Sequence, residues 1–551
     1  MSKKDNNFVA QAGILAAAGI ISRVIGLLYR GPLNAIIGPL GLGYYQAAYS
    51  FYTIVLLISS YSIPSAISKV IAQKLAVREY RNAHRIFLCA MMYVLVVGGA
   101  ASLLLFFGAG LFVSEEAVPV LRVLAPTIFV YGMLGVLRGY FQAHKSMAQT
   151  SVSQILEQIA NAGVSIGCAC LFIRISFGSL EVPEDAGLQA RRAVLGAMGS
   201  ATGTGAGVLV ALLFVGGVYL LNRRMIHRRI AKDRHVETES YGQILRTITL
   251  VVVPFILSTA VYNLCSPVNN YVYNKLLPAL TQTDSVTSYY NYGIFDGQAR
   301  TLSGIPIAFA SAMASAMIPS IAQLVAAREI DEAREKIGVA VRSTMVISIP
   351  CAVGLFVLAK PITHLLFGGT GEELELSARM LMALCVSIIF YALSTLSSSI
   401  LQGMGKVNTP IVNSTIALIV QTVVLVVLLF FTPLDLYGMA IANTVYAVVV
   451  SVLNQWSVRK TVAYRQEWYR TFLIPTLACI FMSASAWAVY EGLYLLTDSM
   501  RISVIPAVAV AAAVYFVMLI LMGGLTEREL RAFPKGYLMV KLAKKLHLLH
   551  S

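Results

Sequence analysis

Five charged residues lie inside segments that are otherwise apolar, and these residues are the strongest candidates for chemistry. They are Arg23, Arg30, Glu157, Asp296 and Arg300. An ionised side chain at the centre of a bilayer costs about 2.5–3.5 kcal/mol on insertion scales, so each needs a partner or a task. Arg23 and Arg30 stand two helical turns apart and share a helix face. Asp296 and Arg300 stand one turn apart and also share a face.

The residue types indicate which chemistry these positions could perform. A guanidinium group offers a planar fork of N–H donors that matches phosphate oxygens, so Arg23 and Arg300, with Arg30 and Asp296 beside them, predict a substrate-binding site for an anion. Glu157 predicts a proton or cation site. Simpler interpretations stay open: Arg30 could reach the lipid headgroups, Asp296 and Arg300 could only neutralise each other, and Glu157 could bond two helices together.

The segments around these residues predict an all-α integral membrane protein. Hydrophobic residues make up 58% of the 551 and charged residues 12%, whereas a soluble domain carries about 25% charge. Apolar runs of about 20 residues recur, each long enough to cross about 30 Å of hydrocarbon as a helix. We expect about fourteen helices, near 8–30, 44–66, 86–113, 119–141, 151–176, 194–221, 244–276, 288–320, 337–359, 376–401, 409–431, 436–458, 469–495 and 502–523.

The distribution of Lys and Arg tests this helix count. Connections 67–85, 222–235 and 459–470 are basic and fall on one side of the membrane, together with the basic N-terminus and C-terminal tail. The opposite side is poor in basic residues, with Arg191 and Arg192 as the exception. By the positive-inside rule, both termini are cytoplasmic and the protein is a multi-pass protein of the cytoplasmic membrane.

Two sequence echoes indicate an internal repeat. Residues 71–79 (IAQKLAVRE) reappear at 321–329 as IAQLVAARE, and residues 141–145 (FQAHK) resemble 401–406 (LQGMGK). An even number of helices in each half makes the repeats parallel, and transporters of this kind bind substrate between the halves. We expect an N-terminal six-helix lobe at 1–235, a C-terminal six-helix lobe at 236–460, two extra helices at 461–523 and a basic cytoplasmic tail at 524–551.

Enzyme chemistry finds little support in the sequence. The histidines are scattered, no cysteine spacing resembles a metal site, and no glycine-rich phosphate loop occurs. We therefore expect no catalytic residues, no metal and no cofactor. Seven tyrosines open the second and eighth predicted helices, and we expect them to anchor the protein at the membrane interface rather than to contact substrate. They are Tyr44, Tyr45, Tyr49, Tyr52, Tyr289, Tyr290 and Tyr292.

Three segments carry a resemblance to known transporters. Ser22-Arg23-Val24-Ile25-Gly26 resembles the opening of the multidrug/oligosaccharidyl-lipid/polysaccharide exporter superfamily, which includes the MurJ-type lipid II flippases and the stage V sporulation protein B family. Ile155-Leu156-Glu157-Gln158 is similar to the sporulation branch, and the stretch from Arg300 to Ile321 is similar to helix eight of the flippases.

The resemblance implies two pseudo-symmetric six-helix lobes (MATE/MurJ-like), two further helices that form a lipid groove, and a cationic cavity for a diphosphate headgroup. Arg23 and Arg300 would carry that cavity. The sequence departs from the flippase pattern at Tyr29-Arg30, where those flippases have arginine followed by aspartate, and in the second helix, which lacks their arginine.

These observations predict a flippase for an undecaprenyl-diphosphate-linked cell-wall precursor, lipid II or a related glycan. Its partners would be that lipid-linked oligosaccharide and membrane lipids, with no nucleic acid, and the protein would be a monomer. Na⁺, H⁺ or the membrane potential would drive transport. A MATE-like cation-coupled drug antiporter is the alternative, because Asp296 and Glu157 supply the acidic residues that it needs.

Overall fold

The computed structural model is helical almost throughout the part of the chain that it describes, and it has no strand there. The described residues are 18–19, 21–61, 63–231, 233, 240–246, 249, 263–281 and 284–524. Helices satisfy every backbone hydrogen bond within one segment, as a lipid environment requires. The prediction of an all-α membrane protein is confirmed.

We number the α-helices in chain order. In the first half they are α1 (Arg30–Leu56), α2 (Ile63–Ala76), α3 (Tyr80–Tyr93), α4 (Gly99–Phe107), α5 (Ala109–Phe112), α6 (Val118–Ala143), α7 (Ala148–Phe177), α8 (Ala186–Ala231), α9 (Cys265–Tyr271), α10 (Leu277–Thr281) and α11 (Ser285–Tyr292). They continue with α12 (Arg300–Ala326), α13 (Ile330–Val357), α14 (Ala359–Phe367), α15 (Gly371–Gly403), α16 (Asn408–Phe431), α17 (Asp435–Val462), α18 (Ile474–Thr497) and α19 (Met500–Leu521).

Within the described residues, ten helical segments are long and apolar enough to cross a membrane. They overlap the third to sixth and the ninth to fourteenth helices that hydropathy predicts. The predicted first and seventh helices fall partly outside the described residues. The second and eighth are interrupted by π-helical turns at Leu57–Tyr61 and Gly293–Ala299.

The first and second predicted helices are joined more directly than expected. The sequence predicts a non-helical connection at 31–43, whereas the structure is helical there and breaks only at Gly38. Gly38 has φ 70° and ψ 174°, a conformation open to glycine without steric cost, and Pro39 follows it. One residue therefore makes the turn for which the sequence predicted a loop.

The helices form two units, Met1–Gly293 and Ile294–Ser551, which we call unit 1 and unit 2. In unit 1, α7 and α8 approach so closely that a Cβ on Gly203 or Gly207 of α8 would overlap the backbone of α7. Small residues one turn apart allow such crossings between helices in membranes. The backbone carbonyl of Glu157 lies against Gly207, so this helix crossing positions Glu157 relative to α8.

In unit 2, α12, α13, α15, α18 and α19 share one apolar core. Its buried members include Ile337, Val341, Leu396, Ala478 and Val504. The sequence places the lobe boundary at 235/236, and the lobe limits stay a prediction. Unit 1 extends to Gly293 because α9 and α11 pack against α1.

The internal repeat is visible in the backbone of both echoed segments. Arg78 and Arg328 have φ 65° and 62°, and their amides donate to the carbonyls three residues back at 3.2 and 3.1 Å. In the second echo, Lys145 and Gly405 have φ 59° and 77° and donate to carbonyls three residues back at 2.9 and 3.0 Å. The repeat that the sequence predicts is therefore also a repeat of turn geometry.

The repeat offset of 250 residues also relates two glycines that touch each other. A Cβ on Gly43 would overlap the carbonyl of Tyr289, and a Cβ on Gly293 would overlap the carbonyl of Pro39. Gly43 and Gly293 are 250 residues apart, and so are Pro39 and Tyr289. The contact is thus reciprocal, and both of its glycines are needed for the backbones to meet.

Candidate substrate and ion site

Unit 1 contains a partly open cavity of about 460 Å³, which polar and apolar side chains line together. This volume lies within the range of about 300–1,000 Å³ that is typical of small-molecule sites. Helices α1, α6, α7 and α8 line it, and both Arg30 and Glu157 face it. The structure therefore brings together two predicted site residues that the sequence assigned to different roles. Other lining residues are Tyr45, Tyr49, Tyr52, Tyr131, Gln158, Asn161 and Thr204.

Glu157 is held by a residue that sequence reasoning missed. Arg138 of α6 donates through Nη2 to Glu157 Oε2 at 2.8 Å, and through Nε to Ser153 Oγ at 2.9 Å. The two charged side chains are 7% and 16% exposed. Arg138 lies three residues from the predicted end of the fourth helix, where an arginine usually reaches the headgroups. In the sequence, the signal that a cation lies nearby is the carboxylate of Glu157 inside an apolar segment.

The tyrosines overturn the expectation of interfacial anchoring. Tyr45 is 5% and Tyr52 2% exposed, and both line the cavity of unit 1. The Tyr45 hydroxyl shares a hydrogen bond of 3.1 Å with Thr204 Oγ1, and the Tyr45 and Tyr49 rings stack at 5.5 Å between centroids. An interfacial anchor would leave its ring against headgroups, whereas these rings pack inside the protein. Tyr44, Tyr289 and Tyr292 are also buried, with exposures of 0%, 1% and 0%.

The first-helix arginines have different surroundings. Arg30 is partly buried at the start of α1 and faces the cavity, which favours the site interpretation over contact with headgroups alone. Arg23, seven residues earlier, is exposed and does not line this cavity. A turn at Tyr29 lies between them, and the Tyr29 amide still donates to the Ile25 carbonyl at 3.2 Å. The two arginines therefore do not share one cavity in unit 1.

Asp296 and Arg300 form the ion pair that their spacing predicts. In unit 2, Arg300 Nη1 lies 2.7 Å from Asp296 Oδ1, with 30% of the arginine side chain and 11% of the aspartate side chain exposed. The π-helical turn Gly293–Ala299 carries the aspartate, and α12 begins at the arginine. Next to them, the Gln298 amide donates to Glu373 Oε1 at 3.0 Å. The charge of Arg300 is therefore balanced within its own helix.

The described part of the chain holds no group of three or more His, Cys, Asp or Glu side chains that could bind a metal ion. All seven cysteines are free thiols, and most of them are buried. The polar groups of the cavity are arginine, carboxylate, amide and tyrosine hydroxyl groups, which bind ligands by charge and hydrogen bonds.

The fold is shared with solved transporters. The chain aligns with a structure of "Lipid II flippase MurJ, inward closed conformation" at a TM-score of 0.63 and 15% identity, covering 92% of this chain and 97% of that one. An inward-facing multidrug resistance MATE family transporter of the MOP superfamily also aligns at 0.63, with 16% identity and coverage of 80% and 94%.

The sequence comparisons agree with the fold. Lipid II flippase MurJ of Bacillus subtilis (strain 168) is 23% identical over 487 residues, 85% of this chain and 86% of that protein. Stage V sporulation protein B of the same organism is 24% identical over 95% of this chain and 96% of its own length. The sequence model described as "Lipid II flippase MurJ" matches residues 74–544, most of the chain. The chain therefore belongs to the MurJ family of lipid flippases.

Proposed function

We propose that this protein moves an undecaprenyl-diphosphate-linked cell-wall precursor, lipid II or a related lipid-linked glycan, across the cytoplasmic membrane by alternating access. The observation that carries the proposal is the presence of Arg30 at the cavity of unit 1, in a chain of this family. A diphosphate headgroup supplies negative charge, and guanidinium groups match its oxygens.

Arg23 and Arg300 bind the diphosphate in this proposal, and Arg30 and Asp296 adjoin the bound headgroup. The support is that Arg30 faces a polar cavity inside unit 1 and that Arg300 keeps 30% of its side chain exposed beside Asp296. Asp296 neutralises Arg300 when no substrate is bound, so an arriving phosphate competes with it for the guanidinium. Glu157 binds the coupling ion, Na⁺ or H⁺, at the cavity of unit 1.

The second candidate function is cation-coupled drug antiport. The observation in its favour is the same cavity, because tyrosine rings around a carboxylate attract organic cations.

The decisive experiment is replacement of the lipid II flippase in a depletion strain, together with flipping of fluorescent lipid II and of an undecaprenyl-linked sugar in vesicles. We expect growth to be restored and at least one lipid-linked glycan to cross. An empty vector in the depletion strain and protein-free vesicles serve as the inactive controls. Export of cationic drugs without any lipid flipping would replace this proposal with the antiporter.

A further inference from the structure

The Arg138–Glu157 ion pair lies at a junction of two helices that the internal repeat reproduces in unit 2 without charged residues. The second echo relates the helix pair α6 and α7 to α15 and α16 with an offset of 260 residues. Ser398 then stands at the position of Arg138, and Ala417 at that of Glu157. The same junction between two helices therefore exists twice in this chain, once charged and once neutral.

In unit 2 the junction is closed by hydrogen bonds between neutral side chains. Asn454 of α17 donates to Ser398 Oγ at 2.8 Å and accepts from Asn413 Nδ2 at 2.8 Å. Asn413 is the counterpart of Ser153, which binds Arg138 in unit 1. Ala417, at the position of the glutamate, is fully buried. Amides and hydroxyls are thus sufficient to pack this junction.

Burial of an ion pair gives no advantage in stability over such a network. Replacing a buried pair with neutral residues of similar volume is often neutral or stabilising, whereas removing one partner costs about 3–5 kcal/mol. Stability therefore does not explain why unit 1 carries charges here. The position of the pair explains the charges, because Glu157 lines the cavity and Arg138, which is 6% exposed, contacts Glu157 from within the unit.

We propose that Arg138 is a positioning residue that holds Glu157 as an ionised carboxylate at the cavity and is displaced when a monovalent cation binds there. This rests on the proposed transport function, in which Glu157 binds the coupling ion. Arg138 takes one carboxylate oxygen and so orients the group, and it neutralises Glu157 whenever the cation is absent. Na⁺ or H⁺ then takes the place of Arg138 at the carboxylate, and the site carries one more positive charge than before. The guanidinium keeps its hydrogen bond to Ser153 Oγ at 2.9 Å.

Other titratable groups face Glu157 from two neighbouring helices. Helix α6 contributes Tyr131 as well as Arg138, and α1 contributes Arg30, Tyr45, Tyr49 and Tyr52, with Tyr29 immediately before it. On α8, the described lining residues are Thr204 and Val208, which do not titrate. Arg30 is the second cation at the cavity, so its substitution is a necessary comparison in any measurement against pH.

The test replaces the charged residues of unit 1 with the neutral residues that stand at the repeat-related positions of unit 2. The double variant Arg138→Ser/Glu157→Ala carries the unit 2 residues at both positions, and Arg138→Ser alone leaves Glu157 without its partner. Thermal unfolding of the purified proteins is measured in detergent against pH and against Na⁺, with K⁺ as the matched salt. Transport is measured across the same conditions, and Arg138→Lys and Arg30→Lys serve as conservative variants.

We expect the unfolding temperature of the double variant to lose the response to pH or Na⁺ that the wild type shows. Arg138→Ser should unfold at a lower temperature than the double variant and should respond more strongly to the cation, because no side chain competes for Glu157. The response of Arg138→Lys should lie between those of Arg138→Ser and the wild type. Loss of the pH response identifies the proton, and loss of the Na⁺ response identifies sodium.

A double variant whose unfolding and transport respond to both cations like the wild type would overturn the proposal. If that variant does not insert, Glu157→Gln decides, because it keeps the shape and must lose the same response. A wild type that responds to cations but flips no lipid would contradict the proposed substrate and leave the role of Arg138 intact.

Discussion

Arg300 and Asp296 act as one group in this structure, and this limits what either can do alone. Their side chains meet at 2.7 Å on consecutive turns, so the arginine does not present an isolated positive charge. A phosphate that binds Arg300 must therefore either join the pair or replace Asp296. The selectivity of this position then depends on hydrogen-bond geometry as much as on charge.

Arg300→Lys and Arg23→Lys are predicted to insert normally and to transport poorly. Lysine keeps the charge but lacks the planar fork, and a hydrogen bond to a charged group contributes about 1.5–3 kcal/mol, so the apparent affinity for the substrate should fall about tenfold to a hundredfold. Flipping in vesicles at several lipid concentrations measures this change. Full activity of Arg300→Ala, at matched expression, would exclude a role in binding.

Side chains at this scale were only partly predictable from the sequence. The Asp296–Arg300 pair follows from a spacing of four residues, and it formed as predicted. Arg138 could not be singled out, because proximity to a helix end gives an arginine an ordinary explanation. The tyrosines were misjudged because composition places aromatic rings near a helix end but does not tell which of them turn inward.

At the scale of elements, close backbone contacts position the site. The crossing of α7 with α8 at Gly203 and Gly207 brings Glu157 to the cavity wall. Hydropathy predicts two separate helices around Gly38, whereas the structure has one helix that turns at this residue. Hydropathy predicts one continuous helix at 288–320, whereas the structure has the π-helical turn Gly293–Ala299 within it. Hydropathy predicted ten of the helical spans, but it carries no information on where a helix bends.

Gly43→Ala and Gly293→Ala are predicted to destabilise the protein by similar amounts. The added Cβ of the first would overlap the carbonyl of Tyr289, and that of the second would overlap the repeat-related carbonyl of Pro39. Overpacking of this kind typically costs about 1–3 kcal/mol. Thermal unfolding in detergent measures the loss.

Gly163→Ala on α7 is the control for this prediction, since nothing lies within 4 Å of its added Cβ. Alanine there should be neutral or stabilising, because glycine inside a helix is less favourable by about 0.5–1 kcal/mol. Equal unfolding temperatures for all three variants would show that the contact between Gly43 and Gly293 does not contribute to the stability of the protein.

At the scale of the molecule, hydrogen bonds within each unit join connections that the predicted topology places on the same side of the membrane. In unit 1, the amide of Arg81 donates to Asp233 at 2.8 Å, and both lie in predicted cytoplasmic connections. On the opposite side, Ser114 and Tyr289 share a hydrogen bond of 3.0 Å. In unit 2, Lys406 donates to Thr461 at 3.0 Å, again between two predicted cytoplasmic connections. The predicted alternation of sides is thus compatible with the packing of each unit.

Reporter fusions measure the orientation itself. Fusions after Lys232 and after Lys545, which fall outside the described residues, are predicted to be cytoplasmic, and a fusion after Glu373 is predicted to be outside. The reason is the excess of Lys and Arg in the connections on the first side. A cytoplasmic signal from the Glu373 fusion would contradict the count of fourteen helices.

The reciprocal contact of Gly43 with Tyr289 and of Gly293 with Pro39 has a consequence for the origin of the chain. In a two-fold symmetric homodimer, residue i of one copy meets residue j of the other, and j meets i in return. The contact keeps this signature within a single polypeptide. It is the geometry expected if a half-length ancestor paired with itself through one glycine before its gene was duplicated and fused. After fusion the two copies could diverge, and the charged junction of Arg138 and its neutral counterpart at Ser398 mark how far they have done so.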